Sequence, residues 1–505
     1  MARRVKLQRR EGVAWLTLPG GGEAGFDAEL RASLGGALEL ALAEPGLKAV
    51  ILRAGEGGWP VSREPGADYA EDEAPAMRAL ADRVAFAPVP VVALLTGKVS
   101  GGGMALAQAA RLRLALTGTQ FAAPEFRFGL IPAAGGFVRL ARRAGAGAAL
   151  RFLTAPREFN SPEAMAIGLC DAQASAGTLE GAALGAALNA FEGGAELPFA
   201  ARDAALADPA GYLAGLEAAR AGAPGGFLAP IAARAAEVAE AALLLPEDEA
   251  VSFEAVAYTD MAAQELPAAL RWQARAWRAA AELPGGVAGA PLGGPVALWN
   301  QPEGFAAELL GMGHELRFGL SEAAGLEAAF TAIAEVQEKA VRAGRLAPEV
   351  READWGRLTA AFDIAALSGA AAVIARPRPG EAAAIMAATP GALHVFEAPA
   401  GAGACGFSRA GKLVELQGEG AGFAQAAALL RAGGARVIAA GWGLGARLEA
   451  AFFAAAERAG MAGAAPETVD RVLPGWGFAS PPFLTADRIR LPAGAPRLEA
   501  AGRAP

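Results

Sequence analysis

The sequence predicts an α/β protein in which two α/β domains are joined by a helical region. Early in the chain, short apolar runs ending in glycine alternate with helical patterns, as expected for buried parallel strands and their covering helices. The strand pattern gives way to Ala/Leu/Glu-rich helical patterns and resumes after a Gly/Pro-rich stretch at 282–295. These changes predict an α/β domain over 1–190, a helical linker region over 191–290, a second α/β domain over 291–440 and a short helical piece over 441–505.

Composition excludes several classes of protein. The 505 residues are 54% hydrophobic and 19% charged, which allows a large core spread over several domains. The net charge of −8 and the scattered arginines argue against nucleic acid as a partner. No uncharged apolar run reaches membrane-spanning length. Because the chain has only two cysteines and two histidines, a disulfide framework and a metal site are not expected. We expect a cytoplasmic protein.

The elements of the first domain can be predicted in order. The chain starts with a basic and then apolar segment, whose apolar run is too short for a secretion signal. Instead, VKLQRR-EG-VAWLTL predicts two strands around a tight turn. The apolar runs LKAVILRAG and PVPVVALLTG predict two further strands, and the stretches AELRASLGGALELALAE and MALAQAARLRLAL predict the intervening helices.

Three glycine-containing stretches in this domain form one candidate site. EPGADYAE follows a strand-like run, KVSGGGMAL places three glycines at the start of a helix, and FAAPEFRFGLIPAAGGFVRL adds an acid and a glycine pair. Three glycines before a helix are typical of a backbone that another group approaches closely. The candidate residues are Gly66, Ala67, Asp68, Gly101, Gly102, Gly103, Glu125, Pro132 and Gly135.

Over about the first 180 residues these stretches, together with SPEAMAIGLCDA, resemble the enoyl-CoA hydratase/isomerase (crotonase) family. The resemblance implies a crotonase (ββα spiral) fold and an acyl-CoA thioester substrate. It implies that the amides of Ala67 and Gly102 stabilise a thioester enolate, because preorganised N–H groups favour developing negative charge. Glu125 of the PE motif would move the proton. The implied substrate contacts are Gly66, Asp68, Gly101, Gly103, Pro132 and Gly135.

Ala105 departs from the family's pattern. Hydratases of the family carry a second glutamate two residues after the triple glycine, and that position is Ala105 here. Because an acid–base group is worth about 10²–10⁴ in rate, its absence favours isomerisation by a single base over hydration. Two alternatives stay open: Glu125 is a catalytic base or a surface-loop acid, and Asp68 is a second base or a turn former. Arg111 stands where many relatives have aspartate.

The second domain has a nucleotide-binding pattern without its fingerprint. PVALW, a helical stretch and ELRFGL predict a βαβ unit, and AAAVIA and GALHVF predict further strands of a Rossmann-like domain. The glycines that would cradle a dinucleotide phosphate are replaced at or near Asn300, Pro302 and Phe305. Proline also has no N–H to offer a phosphate. NAD is therefore predicted to bind weakly or not at all, and no cofactor is expected.

This half nevertheless resembles the 3-hydroxyacyl-CoA dehydrogenase part of the multifunctional fatty-acid oxidation enzymes, as in a truncated α subunit. The resembling stretches are AVRAGRLAPE, GKLVELQGEG, GWGLGARLEAAFFAAAERAG and PETVDRVLPGWGFASPPFLTADRIRL, with AAQELPAALRWQARAWRAAAELPG as the joining helix. The stretch GACGFSRAG directly before KLVEL, where the histidine would be expected, contains none, and Ala446 replaces an expected asparagine. Glu415 would be the residual partner glutamate, and His394 is either a shifted catalytic histidine or a strand residue with a structural hydrogen bond. The resemblance implies a dehydrogenase fold without its reaction.

The sequence leads to three hypotheses about function. The first is an enoyl-CoA isomerase or weak hydratase that uses Glu125 with the Ala67 and Gly102 amides. The second is a non-catalytic scaffold or regulatory relative, favoured by the eroded dehydrogenase motifs and by Ala105. The third is a bifunctional hydratase and NAD-dependent 3-hydroxyacyl-CoA dehydrogenase, with which Asn300, Pro302 and Ala446 conflict. The expected partners are an acyl-CoA substrate and either further copies of the chain or other β-oxidation enzymes. Neither nucleic acid nor a membrane is expected as a partner.

Overall fold

The chain divides into two compact units, Met1–Ala274 and Arg275–Pro505. Each contains a sheet of mostly parallel strands with helices, so the predicted α/β fold is confirmed. No helix in the described part of the chain is long and apolar enough to cross a membrane. The computed structural model describes residues 4–20, 25–62, 64–69, 76–193, 201–282, 293–342, 346, 348–401, 403–410, 413–432, 434–476, 478 and 480–488.

The first unit contains a six-stranded sheet and a small three-stranded sheet. Its strands are β1 (Lys6–Arg10), β2 (Val13–Leu18), β3 (Ala49–Ala54), β4 (Val91–Leu95), β5 (Lys98–Val99), β6 (Leu112–Leu116), β7 (Gln120–Phe121), β8 (Phe159–Asn160) and β9 (Ala172–Ala174). The large sheet has the order β1-β2-β3-β4-β6-β9, with β1 antiparallel to β2 and the other pairs parallel. The small sheet has the order β5-β7-β8.

Helices cover both faces of the large sheet. The helices that lie wholly in the first unit are α1 (Ala28–Leu42), α2 (Met77–Ala85), α3 (Gly101–Ala109), α4 (Gly136–Ala144), α5 (Ala146–Thr154), α6 (Ser161–Ala166), α7 (Leu179–Phe191), α8 (Pro209–Ala221), α9 (Ala229–Leu244) and α10 (Glu247–Ala262), and α11 (Glu265–Ala281) runs across the boundary at 274/275. Successive residues of a strand point to opposite faces, so along β3 Val50 and Leu52 enter the main core while Ala49 and Ile51 pack on the α7 side. Both faces of β3 are therefore buried, as its continuous apolar run predicts.

Two predictions about local structure have different outcomes. The predicted N-terminal hairpin is confirmed, with Glu11 and Gly12 in its turn at φ +55° and +78°. The stretch MALAQAARLRLAL is only partly helical, because α3 ends at Ala109 and the following residues form β6. Ala110 takes an extended conformation, and LRLAL pairs with β4 and β9 inside the sheet. Burial between two strands outweighs the helix propensity of this alanine-rich stretch.

The region predicted as a helical linker over 191–290 is largely part of the first unit. Its patterns do form helices, but α8, α9 and α10 bury apolar residues such as Leu216, Ile231 and Val251 in the same core as the large sheet. The boundary between the compact units consequently lies at 274/275. Most of the predicted Gly/Pro-rich linker lies outside the described residues.

The second unit is built on an eight-stranded sheet. Its strands are β10 (Val296–Trp299), β11 (Leu316–Gly319), β12 (Leu358–Ala361), β13 (Ala372–Ala375), β14 (Leu393–Phe396), β15 (Ala404–Ala410), β16 (Leu413–Gln417) and β17 (Arg436–Ala439). Its helices are α12 (Glu303–Gly311), α13 (Leu326–Arg342), α14 (Pro348–Trp355), α15 (Glu381–Ala388), α16 (Gly420–Ala432), α17 (Leu444–Met461), α18 (Pro466–Val472) and α19 (Pro482–Arg488). The order β12-β11-β10-β13-β14 matches five of the six strands, 3-2-1-4-5, of the dinucleotide-binding fold. The sheet then continues as β15-β16-β17.

Candidate active site

The triple glycine forms the start of α3, directly after β5. Gly101 has φ +57°, a conformation that side chains with a Cβ rarely adopt. A Cβ on Gly102 would lie 2.9 Å from Phe26 Cδ2 and 3.2 Å from Asp68 Cβ. Glycine is therefore required here because neighbouring side chains pack directly against the backbone.

Asp68 is the polar group that approaches the triple glycine. Its side chain is buried, and Oδ2 accepts a hydrogen bond from the Gly102 amide at 2.8 Å. Oδ1 accepts a second hydrogen bond from the Phe26 amide, also at 2.8 Å. The first turn of a helix carries unpaired N–H groups and a partial positive charge. The start of α3 therefore holds an anionic oxygen, and in this structure that oxygen belongs to Asp68.

Ala67 provides the second amide assigned to an oxyanion hole. It donates to the Glu64 carbonyl at 3.0 Å, at the beginning of the short 3₁₀ turn Ala67–Tyr69. Both assigned amides thus donate within the protein, Ala67 to a carbonyl and Gly102 to a carboxylate. A substrate oxygen would have to replace these two acceptors.

Glu125 lies in the short 3₁₀ helix Pro124–Phe128 and is 1% exposed, so it is not a surface-loop acid. Its Oε1 accepts a hydrogen bond from the Tyr69 hydroxyl at 3.4 Å, and its Oε2 is buried without a hydrogen-bond partner among the described residues. Burial, and then the negative charge of Asp68, raise the pKa of Glu125 from 4.5 to about 7. Such a carboxyl group can accept and return a proton near neutral pH.

Asp68 and Glu125 face the same glycine. A Cβ on Gly101 would lie 2.4 Å from Asp68 Oδ2 and 3.9 Å from Glu125 Oε1. Burial and these two negative charges raise the pKa of Tyr69 well above its ordinary 10.0, so Tyr69 stays protonated and can donate to Glu125. Two buried carboxyl groups and a hydroxyl donor therefore surround the start of α3.

Tyr258 of α10 also belongs to this site, although no sequence motif indicates it. Its hydroxyl donates to the Gly66 carbonyl at 3.2 Å, and its ring meets the Tyr69 ring edge-to-face with centroids 5.4 Å apart. The Gly66 carbonyl belongs to the same peptide group as the Ala67 amide. Tyr258 therefore fixes the orientation of an amide that the sequence analysis assigned to the oxyanion hole.

Glu254, four residues before Tyr258 in α10, is fully buried. Its carboxylate accepts hydrogen bonds from the Gly135 amide at 2.6 Å and the Val138 amide at 2.8 Å, and so caps the start of α4. Gly135, predicted as a substrate contact, thus donates its amide to Glu254. The i,i+4 spacing places Glu254 and Tyr258 on one helix face, but nothing in the sequence connects that face to Gly66 or Gly135.

The remaining predicted site residues lie in α3 or just before α4. Pro132 is buried in the segment that leads into α4. A Cβ on Gly103 would lie 3.3 Å from Trp59 Cε3, so this glycine packs against an indole ring. Ala105 is fully buried, and a Cβ on Gly136 would lie 3.3 Å from its Cα. Helices α3 and α4 therefore approach each other closely at the position of the missing glutamate.

In the second unit, side chains occupy the place where the predicted phosphate cradle would lie. Asn300, after β10, has φ +52°; its Oδ1 accepts from the Ser321 amide at 2.8 Å, and its Nδ2 donates to the Arg376 carbonyl at 3.0 Å. Glu381 accepts from the Ser321 hydroxyl at 2.6 Å and from the Trp299 indole at 3.2 Å. In sheets of this order the ligand approaches these strand ends. Here an internal hydrogen-bond network, the Asn300–Glu381 network, links them.

The residual dehydrogenase residues also have internal partners. Glu415 is buried and accepts from the Ser408 hydroxyl across the β15–β16 pair at 2.5 Å, and from the Gly445 amide. His394 Nε2 lies 2.9 Å from Thr389 Oγ1, and burial lowers its pKa below 6.5, which fits the structural alternative for this histidine. Among the described residues, no three His, Cys, Asp or Glu side chains are grouped so as to hold a metal ion.

The comparisons with known proteins concern mainly the first unit. Residues 8–205 match the family described as enoyl-CoA hydratase/isomerase. The peroxisomal bifunctional enzyme of Danio rerio is 33% identical over 181 residues, which are 35% of this chain and 24% of that enzyme. The match thus spans about a quarter of that relative's length.

Solved structures of similar proteins also align with this chain. A structure of an enoyl-CoA hydratase/isomerase from Pseudoalteromonas atlantica T6c is 18% identical, with a TM-score of 0.38, and the alignment covers 54% of this chain and 95% of that one. A structure of an enoyl-CoA hydratase/carnithine racemase from Magnetospirillum magneticum is 25% identical, with a TM-score of 0.34, and the alignment covers 40% and 79%.

Proposed function

We propose that the chain moves the double bond of enoyl-CoA thioesters. The match of residues 8–205 to the enoyl-CoA hydratase/isomerase family supports this proposal. The observation that carries this proposal is Glu125, a buried carboxyl group with one unpartnered oxygen among the described residues and a pKa of about 7. Ala105 leaves the site without the second glutamate of the family's hydratases. Asp68 accepts hydrogen bonds from two backbone amides, which favours a positioning role over that of a second base.

The proposed reaction is a proton transfer along the acyl chain. Ionised Glu125 takes a proton from C2 of a 3-enoyl thioester, so the C2–H bond breaks and its electron pair forms a dienolate. The protonated Glu125 then returns the proton to C4, which forms the C4–H bond and leaves a 2-enoyl thioester. A single group suffices, because the proton leaves and re-enters on one carboxyl. The raised pKa supports both steps near neutral pH.

The dienolate oxygen would be stabilised by the Gly102 and Ala67 amides. The Gly102 amide already donates to a carboxylate oxygen at 2.8 Å. A developing oxyanion is a similar acceptor, so the same amide could stabilise it. In the proposed complex the thioester oxygen takes the place of Asp68 Oδ2, and Ala67 transfers its hydrogen bond from the Glu64 carbonyl. The displaced Asp68 keeps its hydrogen bond from Phe26.

For the second unit we infer a dehydrogenase-like fold without dehydrogenase activity. The Asn300–Glu381 network occupies the strand ends where a dinucleotide would bind, and Glu415 is paired with Ser408 rather than with a histidine. Pro302 adds no N–H donor to the turn. These contacts argue against the bifunctional hypothesis for this chain.

The test compares three substrates: 3-enoyl-CoA, 2-enoyl-CoA, and 3-hydroxyacyl-CoA with NAD. We expect conversion of 3-enoyl-CoA to 2-enoyl-CoA, weak hydration and no NADH. Glu125→Gln should lower isomerisation by about 10²–10⁴, whereas Glu39→Gln, an exposed change on α1, should have no effect. Equal turnover in the Glu125→Gln variant would refute the proposed mechanism, and NADH formation would refute the inference about the second unit.

A non-catalytic acyl-CoA-binding relative is the second candidate function. It is favoured by the observation that both oxyanion amides donate inside the protein. Binding of 3-enoyl-CoA by the intact chain without turnover, and without C2 proton exchange in deuterated water, would establish this candidate and exclude the isomerase.

A further inference from the structure

The short 3₁₀ turn that begins at Ala67 contacts three parts of the proposed active site through consecutive residues. Ala67 carries one of the two amides assigned to the oxyanion hole. Asp68 Oδ2 accepts from the other, the Gly102 amide, at 2.8 Å. Tyr69 donates its hydroxyl to Glu125 Oε1 at 3.4 Å, and among the described side chains it is the one that donates to this carboxyl group. One turn therefore connects the proposed base to both oxyanion amides.

Two contacts fix the position of the Tyr69 side chain. Its backbone amide donates to the Gly66 carbonyl at 3.1 Å, which holds the residue in the turn. Its ring meets the Tyr258 ring edge-to-face, with the ring centroids 5.4 Å apart and the ring planes at 72°. The Gly66 carbonyl also accepts from the Tyr258 hydroxyl at 3.2 Å, so both tyrosines are bound to the same peptide group. These contacts place the Tyr69 hydroxyl next to Glu125 independently of the hydrogen bond between them.

The two oxygens of Glu125 have different surroundings. Oε1 accepts from Tyr69, whereas Oε2 is buried without a hydrogen-bond partner among the described residues. A protonated carboxyl group has one O–H and one carbonyl oxygen that still accepts. When the proton is on Oε2, Oε1 is the carbonyl oxygen and keeps its hydrogen bond from Tyr69. When the proton is on Oε1, the carbonyl oxygen is buried without a donor, which costs free energy.

We infer that Tyr69 is a positioning residue whose hydroxyl holds Glu125 Oε1, so that Oε2 takes the proton from C2 of the substrate and returns it to C4. The inference rests on the proposed isomerisation, which supplies the two carbons. The C2–H bond breaks as the Oε2–H bond forms, and the same proton then forms the C4–H bond. Tyr69 keeps its own proton throughout, because burial raises its pKa well above 10.0.

The Tyr69 hydroxyl also opposes the effects that raise the pKa of Glu125. Burial, and then the charge of Asp68, raise that pKa to about 7, whereas the hydrogen bond from Tyr69 lowers it because it favours the ionised form. Tyr258 of α10 also lies near Glu125 and is neutral at pH 7, because burial raises its pKa to about 12. Removal of the Tyr69 hydroxyl should therefore raise the pKa of Glu125, whereas removal of the Asp68 charge should lower it.

The test is an infrared titration of Glu125 in the full chain, taken as the difference between each protein and its Glu125→Gln counterpart. The subtraction is needed because the pKa of Glu254 is also about 7. In Tyr69→Phe the midpoint should rise by about 0.5–1 pH unit, the effect of one hydrogen bond. The carbonyl band of protonated Glu125 should move to higher wavenumber, because Oε1 loses its donor. Tyr212→Phe, which removes a hydroxyl that donates to the Ala239 carbonyl at 2.6 Å, is the matched control and should change neither value.

The pH–rate profile for 3-enoyl-CoA provides a second measurement. In Tyr69→Phe the rise of kcat/KM should move to higher pH by the same amount, and kcat should fall about two- to tenfold with little change in KM. An unchanged or lower midpoint in Tyr69→Phe would overturn the positioning role, and an unchanged carbonyl band would overturn the assignment of the proton to Oε2. If the titration behaves as expected but the wild-type chain does not isomerise 3-enoyl-CoA, the role of Tyr69 is supported and the proposed function alone is refuted.

Discussion

Asp68 Oδ2 lies 2.8 Å from the amide nitrogen of Gly102, so a carboxylate of the protein occupies the amide on which the proposed catalysis depends. The same side chain accepts the Phe26 amide, which ties it to the start of α1. In the proposed mechanism a substrate oxygen would therefore compete with the Asp68 carboxylate for the Gly102 amide. Acyl-CoA affinity and chain stability should respond in opposite directions when Asp68 is changed.

Asp68→Ala should strengthen binding of a saturated acyl-CoA, which cannot isomerise, by about two- to tenfold, because one protein hydrogen bond no longer has to be broken. It should also lower the melting temperature, because the Phe26 and Gly102 amides lose their acceptor. Calorimetry and thermal unfolding measure the two effects. Asp208→Ala, which removes the carboxylate that accepts the Gly211 amide at the start of α8, should lower stability alone. Weaker binding in Asp68→Ala would contradict the competition.

The pH dependence of isomerisation follows from the pKa of Glu125. Because the ionised carboxylate takes the first proton, kcat/KM should rise with pH through about 7. The charge of Asp68 contributes to that raised pKa, so Asp68→Asn should move the rise to lower pH. The measurement is a pH–rate profile for 3-enoyl-CoA. A rise at unchanged pH in Asp68→Asn would contradict the assignment of the group to Glu125.

Glu125 should also make the folded chain less stable as pH increases. Its pKa is about 7 when folded and near the ordinary 4.5 when unfolded, so the folded state binds the proton more tightly. This contribution is fully present below pH 4.5 and is lost as the pH rises through about 7. In Glu125→Gln the melting temperature should decrease less steeply between pH 4.5 and about 7. An identical slope in the variant would show that the side chain is solvated in solution.

Tyr258→Phe should lower kcat several-fold with little change in KM, since the Gly66–Ala67 peptide loses the hydroxyl that orients it. Tyr212→Phe is the matched control, because its hydroxyl donates to the Ala239 carbonyl at 2.6 Å in the same unit, away from Glu125. Both variants should lose about 1 kcal/mol of stability. Steady-state kinetics measure the effect on kcat, and denaturant unfolding measures the effect on stability. Equal kcat values in both variants would show that the Tyr258 hydroxyl contributes to stability and not to catalysis.

Substitutions of Asn300 test the Asn300–Glu381 network of the second unit. Asn300→Gly keeps a residue that tolerates φ +52° and removes only the side-chain hydrogen bonds, whereas Asn300→Ala also introduces backbone strain. Hydrogen exchange of peptides containing Ser321 should therefore increase in both variants, and more in Asn300→Ala. Equal exchange in the two variants would show that the positive φ is not maintained in solution.

Residues close together in the chain made much of the fold predictable. The run LKAVILRAG gives β3 because a strand buried on both faces needs apolar residues throughout. The triple glycine indicated a close approach, and the packing at Gly102 agrees with it. The identity of the approaching group could not be predicted, because Asp68 reaches Gly102 through a side-chain orientation set by Phe26. Tyr258 was missed because 192 positions separate it from Gly66.

The hydrogen bonds from the start of α4 to Glu254 affect where the chain can be cut to make a chimeric protein. The family match ends at residue 205, yet the carboxylate that holds the start of α4 and the hydroxyl that holds the Gly66 peptide come from α10, beyond that end. The family match and the contacts that support the glycine turn therefore end at different places in the first unit. A chimera with a related protein joined at residue 205 would transfer the glycine turn and Glu125 without their support, whereas a junction after α10 would carry the support along.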